Sequence, residues 1–349
     1  MPQHTPPAGP IRTGIIGFGT SGRVFHAPLV SSNPEFSLDL IVTGNPERRT
    51  QAIHSYPGAR ILATSDDLFD RVEDLDLVVI GSPSATHIDL AHAARDAGLA
   101  VVVDKPFAVT PEQGRGVIEK AERLGLHLTV FQNRRWDGDF LTLRALVAAG
   151  ALGTVRRFES RFEWWEPEQA QSWRAAARPS EGGGVLYDLG AHLIDQAIQL
   201  FGPVDDVHAE VLARREGAAA DDDTFVALHH GSGVHSHLWM NGMAAQVGPR
   251  FRVLGSTAGY TKWGTDGQET ALRQGMLPTD EGYGLEAEAT WGVLGRDGAL
   301  TRVPTQRGSY DAFYAALAEA ILRGGPVPVK PRDALRVIDV IERVHRMAG

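Results

Sequence analysis

The stretch Arg12-Thr-Gly-Ile-Ile-Gly17-Phe-Gly19-Thr-Ser-Gly22-Arg-Val-Phe-His26 decides the fold. A short apolar run ends in Gly-x-Gly-x-x-Gly, and a segment able to begin a helix follows. Gly17 allows a tight strand-to-helix turn, Gly19 lets the backbone approach a pyrophosphate, and Gly22 lets the helix pack closely on a sheet. The first amides of that helix, around Thr20 and Ser21, point unpaired at the phosphates with the positive end of the helix dipole behind them. By itself the pattern also fits a glycine-rich turn without a ligand. Here it sits on the first apolar run of the chain, where a dinucleotide fold needs it.

Outward from this motif, strand-like and helix-like segments alternate over the first 130 or so residues. Ile15-Ile16 begins the series, with a helix from Gly22 to about Ser32. A strand Ser37–Thr43 and a helix Pro46–His54 follow, then the run Leu75–Ile80, suited to a strand buried on both faces. His87–Ala97 has helical periodicity, Leu99–Asp104 reads as another buried strand, Pro111–Leu124 as a helix, and Leu126–Phe131 as a strand. Strands separated by helices of this length imply parallel pairing with right-handed crossovers, a doubly wound α/β sheet.

After about residue 150 the period changes to alternation of apolar and polar residues, in 155–165, Val207–Ala213, Thr224–His229, Val234–Met240 and Phe251–Leu254. This predicts an open, mostly antiparallel sheet in an α+β domain. One helix, roughly Leu186–Phe201, interrupts it, and the segments Tyr310–Arg323 and Pro331–Met347 end the chain in helices. The expected organisation is a tail over 1–10, a dinucleotide-binding domain over 11–131 and a substrate-binding, oligomerising domain over 132–349.

The formal net charge of −9 over 349 residues offers no footprint for nucleic acid or an anionic membrane. No apolar run is long enough to span a bilayer. The first ten residues lack the charge and apolar core of a signal peptide, and with zero cysteines there is no thiolate chemistry. Cytoplasmic residence is the default expectation.

Candidate chemistry clusters where strands end. An NAD site usually has Asp or Glu at the second strand tip, for the ribose hydroxyls. Here the tip is Thr43, followed by Asn45 and Arg48, which suit a 2′-phosphate. NADP is therefore expected over NAD, with Arg48 and Arg49 as solvated helix charges the alternative. Gly81-Ser82-Pro83-Ser-Ala-Thr86-His87 follows a buried strand. Thr86 suits a helix cap, and His87 is either a cofactor neighbour or a first-turn surface histidine. Asp104-Lys105-Pro106 ends an apolar strand, and the proline fixes where the Lys105 side chain emerges. A lysine beside a nicotinamide can hold a substrate oxygen and stabilise developing charge; a strand-end lysine facing solvent is the alternative. In Gly182–Gln196, Asp188 and His192 are four apart on a helix. A histidine titrating near neutrality suits the proton of alcohol oxidation, and a nearby carboxylate can orient it. An ordinary i,i+4 pair is the alternative.

These elements together resemble the Gfo/Idh/MocA oxidoreductase family, on Gly17–Gly22, Thr86-His87, Asp104-Lys105-Pro106 and Asp188-Leu-Gly-Ala-His192. Gly17–Pro28, Phe131–Asp137 and Lys262–Glu269 are similar to the branch containing NADP-dependent scyllo-inositol dehydrogenases. The resemblance implies a Rossmann domain and an open-sheet domain that binds substrate and mediates a homodimer or homotetramer. It implies hydride transfer with a polyol, cyclitol or sugar, and catalytic roles for Lys105, Asp188 and His192. Gly17, Gly19, Thr20, Ser21, Gly22, Thr43, Asn45, Arg48, Ser82, Pro83, His87, Asp104 and Lys105 are the expected cofactor contacts. Asp104 stands where the family more often has Glu, and Trp164-Trp165 replaces an expected arginine- or tyrosine-containing stretch. Arg135, Trp136 and Trp164 are candidate substrate contacts, although half-buried sheet or interface positions suit the tryptophans equally.

A cofactor-sensing regulator on the same scaffold would not need Lys105, Asp188 and His192. A glycosidase that retains its nicotinamide would show no net cofactor reduction. His229, His230, His235 and His237 lack a third ligand at zinc-like spacing, so no metal is expected. Asp221-Asp-Asp223 reads as a solvated turn.

Overall fold

The computed structural model describes residues 7–168 and 177–348. Residues 1–6 of the expected tail lie outside the described residues. The chain divides into two compact units, residues 1–133, 268–283 and 309–335 in one, and 134–267, 284–308 and 336–349 in the other. The sequence reading draws a single boundary at 131/132, whereas two later segments are assigned to the first unit.

In the first unit, six parallel strands run β1 Ile11–Ile16, β2 Phe36–Val42, β3 Arg60–Leu62, β4 Leu77–Ile80, β5 Ala100–Asp104 and β6 Leu128–Phe131. Their order in the sheet is β3-β2-β1-β4-β5-β6. The order reverses between β1 and β4, so the loops leaving those strands diverge and open a crevice at the carboxyl edge. The centre is driven by burial: all four side chains of Leu77–Ile80 are fully inaccessible, each contributing roughly 1.5–3 kcal/mol. Among the elements of this unit absent from the sequence reading are β3 and the helix Ser65–Phe69. Both are short, and the helix is specified by a capping box between Thr64 and Asp67 rather than by periodicity.

The second unit holds an eight-stranded sheet in the order β14-β13-β12-β11-β7-β10-β9-β8. Its strands are β7 Val155–Glu163, β8 Val204–Leu212, β9 Asp223–His230, β10 His235–Asn241, β11 Phe251–Gly255, β12 Gly259–Lys262, β13 Gly292–Arg296 and β14 Ala299–Val303. β7 and β10 pair in parallel, and the other pairings are antiparallel. The helix Gly138–Ala148 and strands β12 to β14 go unread in the sequence. That helix carries apolar residues all round, so it lacks a one-sided stripe, and β14 is an exposed edge. Among the described residues, no helix is long and apolar enough to cross a membrane.

Candidate active site

The carboxyl edge of the first sheet collects most of the expected cofactor residues. Gly17 has φ +98°, and a Cβ there would lie 2.7 Å from the Gly81 carbonyl oxygen and 2.8 Å from the Ser82 amide nitrogen. The loops after β1 and β4 therefore touch backbone to backbone, which only glycine permits. A Cβ on Gly22 would overlap the Gly17 carbonyl oxygen. The residues Ser21–His26 form a wide π-helical turn before the regular helix Ala27–Ser31, a geometry enriched at functional sites. At Gly19 a Cβ would meet, among the described residues, only Arg48, with Nη1 at 3.6 Å. The Ser21 hydroxyl is buried there without a hydrogen-bond partner among the described residues. Close glycine backbone, an orphan hydroxyl and a guanidinium beside Gly19 form a cradle that fits a dinucleotide phosphate.

Thr43 is buried at the β2 tip, and Asn45 Oδ1 caps the helix Pro46–Ser55 by accepting from the Arg48 amide at 2.9 Å. The cap also fixes where Arg48 leaves the backbone. Thr86 does not cap its helix through its side chain. Its hydroxyl instead donates to the Pro83 carbonyl at 2.8 Å and lies 2.7 Å from the Ser82 hydroxyl, tightening the loop itself.

His87 is not a surface histidine. It is 1% exposed, with Nδ1 2.9 Å from the Pro106 carbonyl oxygen and Nε2 2.9 Å from the Ser82 carbonyl oxygen. Two carbonyls facing one ring favour the charged form, but burial outweighs them and pushes the imidazole below its ordinary value. His87 thus ties the loop after β4 to the tip of β5. At that tip Asp104 Oδ1 accepts from the Lys105 amide at 2.8 Å. Lys105 itself is half-buried and joined to Pro106 by a cis peptide. Behind the edge, His26 is fully buried with Nδ1 2.7 Å from the Tyr314 hydroxyl. Burial holds its pKa down at about 4, against the opposing pull of the Asp104 charge.

In the second unit, Asp188 and His192 do not share one regular helix. Leu186–Gly190 is a second wide π-helical turn, and the regular helix begins at Ala191 and runs to Phe201. Asp188 is half-buried and its amide donates to the Gly184 carbonyl at 3.1 Å. His192 is 5% exposed, its ring edge-on to Phe162 with centroids 6.3 Å apart. The guanidiniums of Arg250 and Arg134 lie over that same phenyl ring at 4.2 and 5.3 Å, a cation–π arrangement. The helix has no single apolar stripe: Ala191 to Ile198 are buried on every side.

Arg135, a candidate substrate contact, has a partner inside its own unit. Its Nε and Nη2 donate to the two Asp195 oxygens at 2.8 and 2.6 Å. This buried fork holds the helix that carries His192, one turn beyond it. Trp136 is half-buried, and Trp164 donates from Nε1 to Glu166 at 3.1 Å. The histidines 229 and 235 stack at 4.7 Å, while His230 is buried against Gly202 and Ser236. Among the described residues no three His, Cys, Asp or Glu side chains gather in a way that could hold a metal.

The reading of Asp221–Asp223 as a solvated turn is wrong. Asp221 and Asp222 are 7% and 3% exposed. Asp222 accepts from the Arg214 and Arg215 amides at 2.7 and 3.0 Å, and Asp221 accepts from the Leu186 amide at 2.9 Å. The sequence signal for the latter is the Gly182-Gly-Gly184 run. Gly184 has φ +95°, and a Cβ on it would overlap Asp221 Oδ1.

Comparison with known proteins agrees with this architecture. Residues 11–132 match the oxidoreductase family with an NAD-binding Rossmann fold, and residues 140–261 match the GFO/IDH/MocA C-terminal domain. The chain is 34% identical to scyllo-inositol 2-dehydrogenase (NADP(+)) IolW of Bacillus subtilis, over 95% of this chain and 92% of the relative. It is 39% identical to the uncharacterized oxidoreductase YdgJ of Escherichia coli K12, over 95% and 94%. The solved structure of the oxidoreductase yvaA from Bacillus subtilis superposes with a TM-score of 0.91 at 32% identity, covering 97% of this chain and 96% of that one. The chain belongs to the Gfo/Idh/MocA oxidoreductases and is an NAD(P)-binding member of that family.

Proposed function

We propose that this oxidoreductase is a dehydrogenase or reductase that prefers NADP and acts on a CH–OH group, or the corresponding carbonyl, of a polyol, cyclitol or sugar. The observation that carries the reading is the nearly buried imidazole of His192, set at the head of a helix with Asp188 in the wide turn before it. A bound nicotinamide supplies the hydride acceptor or donor at its C4 carbon. His192 takes the hydroxyl proton in oxidation and returns it in reduction. Asp188 orients the proton exchange, and Lys105 holds the substrate oxygen and offsets the negative charge that grows on it. Trp136 and Trp164 offer aromatic surface to the carbon skeleton. Gly17–Gly22, Ser82, Pro83 and Asp104 would hold the cofactor, with His87 acting through the carbonyls it meets.

Preference for NADP rests on Thr43 in place of a strand-tip acid and on Arg48 beside Gly19. The relative named for NADP(+) supports it. Assembly into a homodimer or homotetramer is part of the same reading. The open face of the second sheet carries Phe225, Trp239, His237 and Arg161, partly exposed and in contact with one another, with His235 exposed on the same strand. Light scattering at micromolar concentration should show an oligomer, and a monomer would contradict that part.

The test is an absorbance screen of cyclitols and aldoses with NADP and with NAD. Net reduction of NADP by at least one polyol is expected. Cofactor binding without turnover on any of them would favour a cofactor sensor instead. Glycoside cleavage with tightly copurifying cofactor and no net reduction would favour a nicotinamide-retaining glycosidase.

A further inference from the structure

The amides at the start of a helix have no acceptor within it and need one from elsewhere. Val185, at the cap position of the Leu186–Gly190 turn, has no side-chain oxygen to offer. Asp221 supplies it from another part of the chain. Its Oδ2 accepts from the Leu186 amide at 2.9 Å and its backbone carbonyl from the Val185 amide at 3.0 Å. The Thr224 hydroxyl donates to the same Oδ2 at 2.6 Å and fixes its orientation. A carboxylate at this end of a helix also complements the dipole.

Asp221 is buried, and burial holds its carboxyl above the ordinary range. Its Oδ1 lies against Gly184 and has no hydrogen-bond partner among the described residues. A buried acid left half-satisfied is destabilising by itself, so packing alone does not account for it. What the clamp fixes is the turn that carries Asp188, two residues beyond the amide it binds.

We infer that Asp221 is a positioning residue for the reaction: as a helix cap delivered in trans, it sets the Leu186–Gly190 turn and through it Asp188 and His192. This rests on the catalytic reading of Asp188 and His192. Asp222 is the natural control, since it is equally buried but binds the Arg214 and Arg215 amides, away from the helix.

The experiment compares Asp221→Ala, Asp221→Asn and Asp222→Ala in the full chain. It measures steady-state kinetics with NADP and scyllo-inositol, NADP binding, and the NMR titration of the His192 ring, assigned by its loss in His192→Ala. Asp221→Ala should lower kcat by about tenfold, the scale of a small misplacement of a reacting group. It should also move the His192 midpoint by about half a pH unit, with NADP affinity unchanged. Asp221→Asn keeps an acceptor for the Leu186 amide and should restore most of both. Asp222→Ala should change neither. If Asp221→Ala does not fold, Thr224→Val, which removes one donor, should give the same changes at smaller size. An unmoved midpoint, or equal effects from Asp222→Ala, would overturn the inference. Full turnover in Asp188→Asn and His192→Ala would instead remove the catalytic reading, and the His192 titration would still judge the clamp.

Discussion

Two wide turns of the same gauge, Ser21–His26 and Leu186–Gly190, precede regular helices in the two units, and they are held open by opposite means. The first rests on glycine backbones in close contact, Gly17 against Gly81 and Gly22 against Gly17. The second rests on one carboxylate 35 residues away in sequence. Backbone contact is rigid and leaves no charge to titrate, which suits a surface proposed only to cradle phosphates. A carboxylate cap can be released by one proton, and it stands beside residues proposed to move protons.

The strongest way to break this comparison is to add one methyl group at a glycine that supports each turn. Gly22→Ala drives a Cβ into the Gly17 carbonyl oxygen, and backbone cannot yield cheaply. It should destabilise the protein by about 3 kcal/mol and abolish NADP binding. Gly184→Ala, at a positive φ, meets a side-chain oxygen of Asp221, which can give way only by loosening its bonds to Thr224 and the Leu186 amide. It should lower stability by about 1 kcal/mol and leave NADP binding intact. Urea denaturation with a cofactor titration checks both, and equal loss of NADP binding would erase the distinction.

A second contrast lies in pH. His26, at the end of the first turn, has its pKa lowered from 6.5 to about 4 by burial. Between those values the unfolded chain binds a proton that the folded protein does not, so stability falls as pH falls and is fully present above the unfolded value. The loss amounts to roughly 2 kcal/mol at pH 5. His26→Gln should flatten the pH dependence of unfolding between pH 7 and pH 5. Some slope should remain, because His87 is shifted in the same direction. An unchanged slope would mean that His26 is not the group responsible.

The smallest effect is on cofactor choice. Arg48→Ala should weaken NADP by about tenfold and NAD much less, the scale of one charge-assisted contact to phosphate. Equal dissociation constants for the two cofactors in the unmodified protein would remove the basis for the preference.

The same comparison explains what could be read in advance. Gly17 and Gly22 meet within six residues, so spacing alone reveals the tight turn and the parallel sheet around it. Asp104-Lys105-Pro106 is legible for the same reason, because it ends an unbroken apolar strand. Asp221 is invisible to such a reading. Three consecutive acids suggest solvent, and nothing local says that one of them caps a distant helix. Arg135 is likewise only partly legible, since its partner Asp195 is known only once the two are folded together. His87 is open to either reading until both carbonyls facing its ring are located.

The central claim is that His192 exchanges the substrate proton. Its most direct test is the pH dependence of kcat for the unmodified protein and for His192→Ala, on the polyol found by the screen, with NADP binding measured in parallel. Turnover in His192→Ala should fall by about a hundredfold and lose the near-neutral limb of its pH profile, while NADP affinity stays the same. Turnover and profile both unchanged in His192→Ala would contradict the account, because the proton would then move through another group.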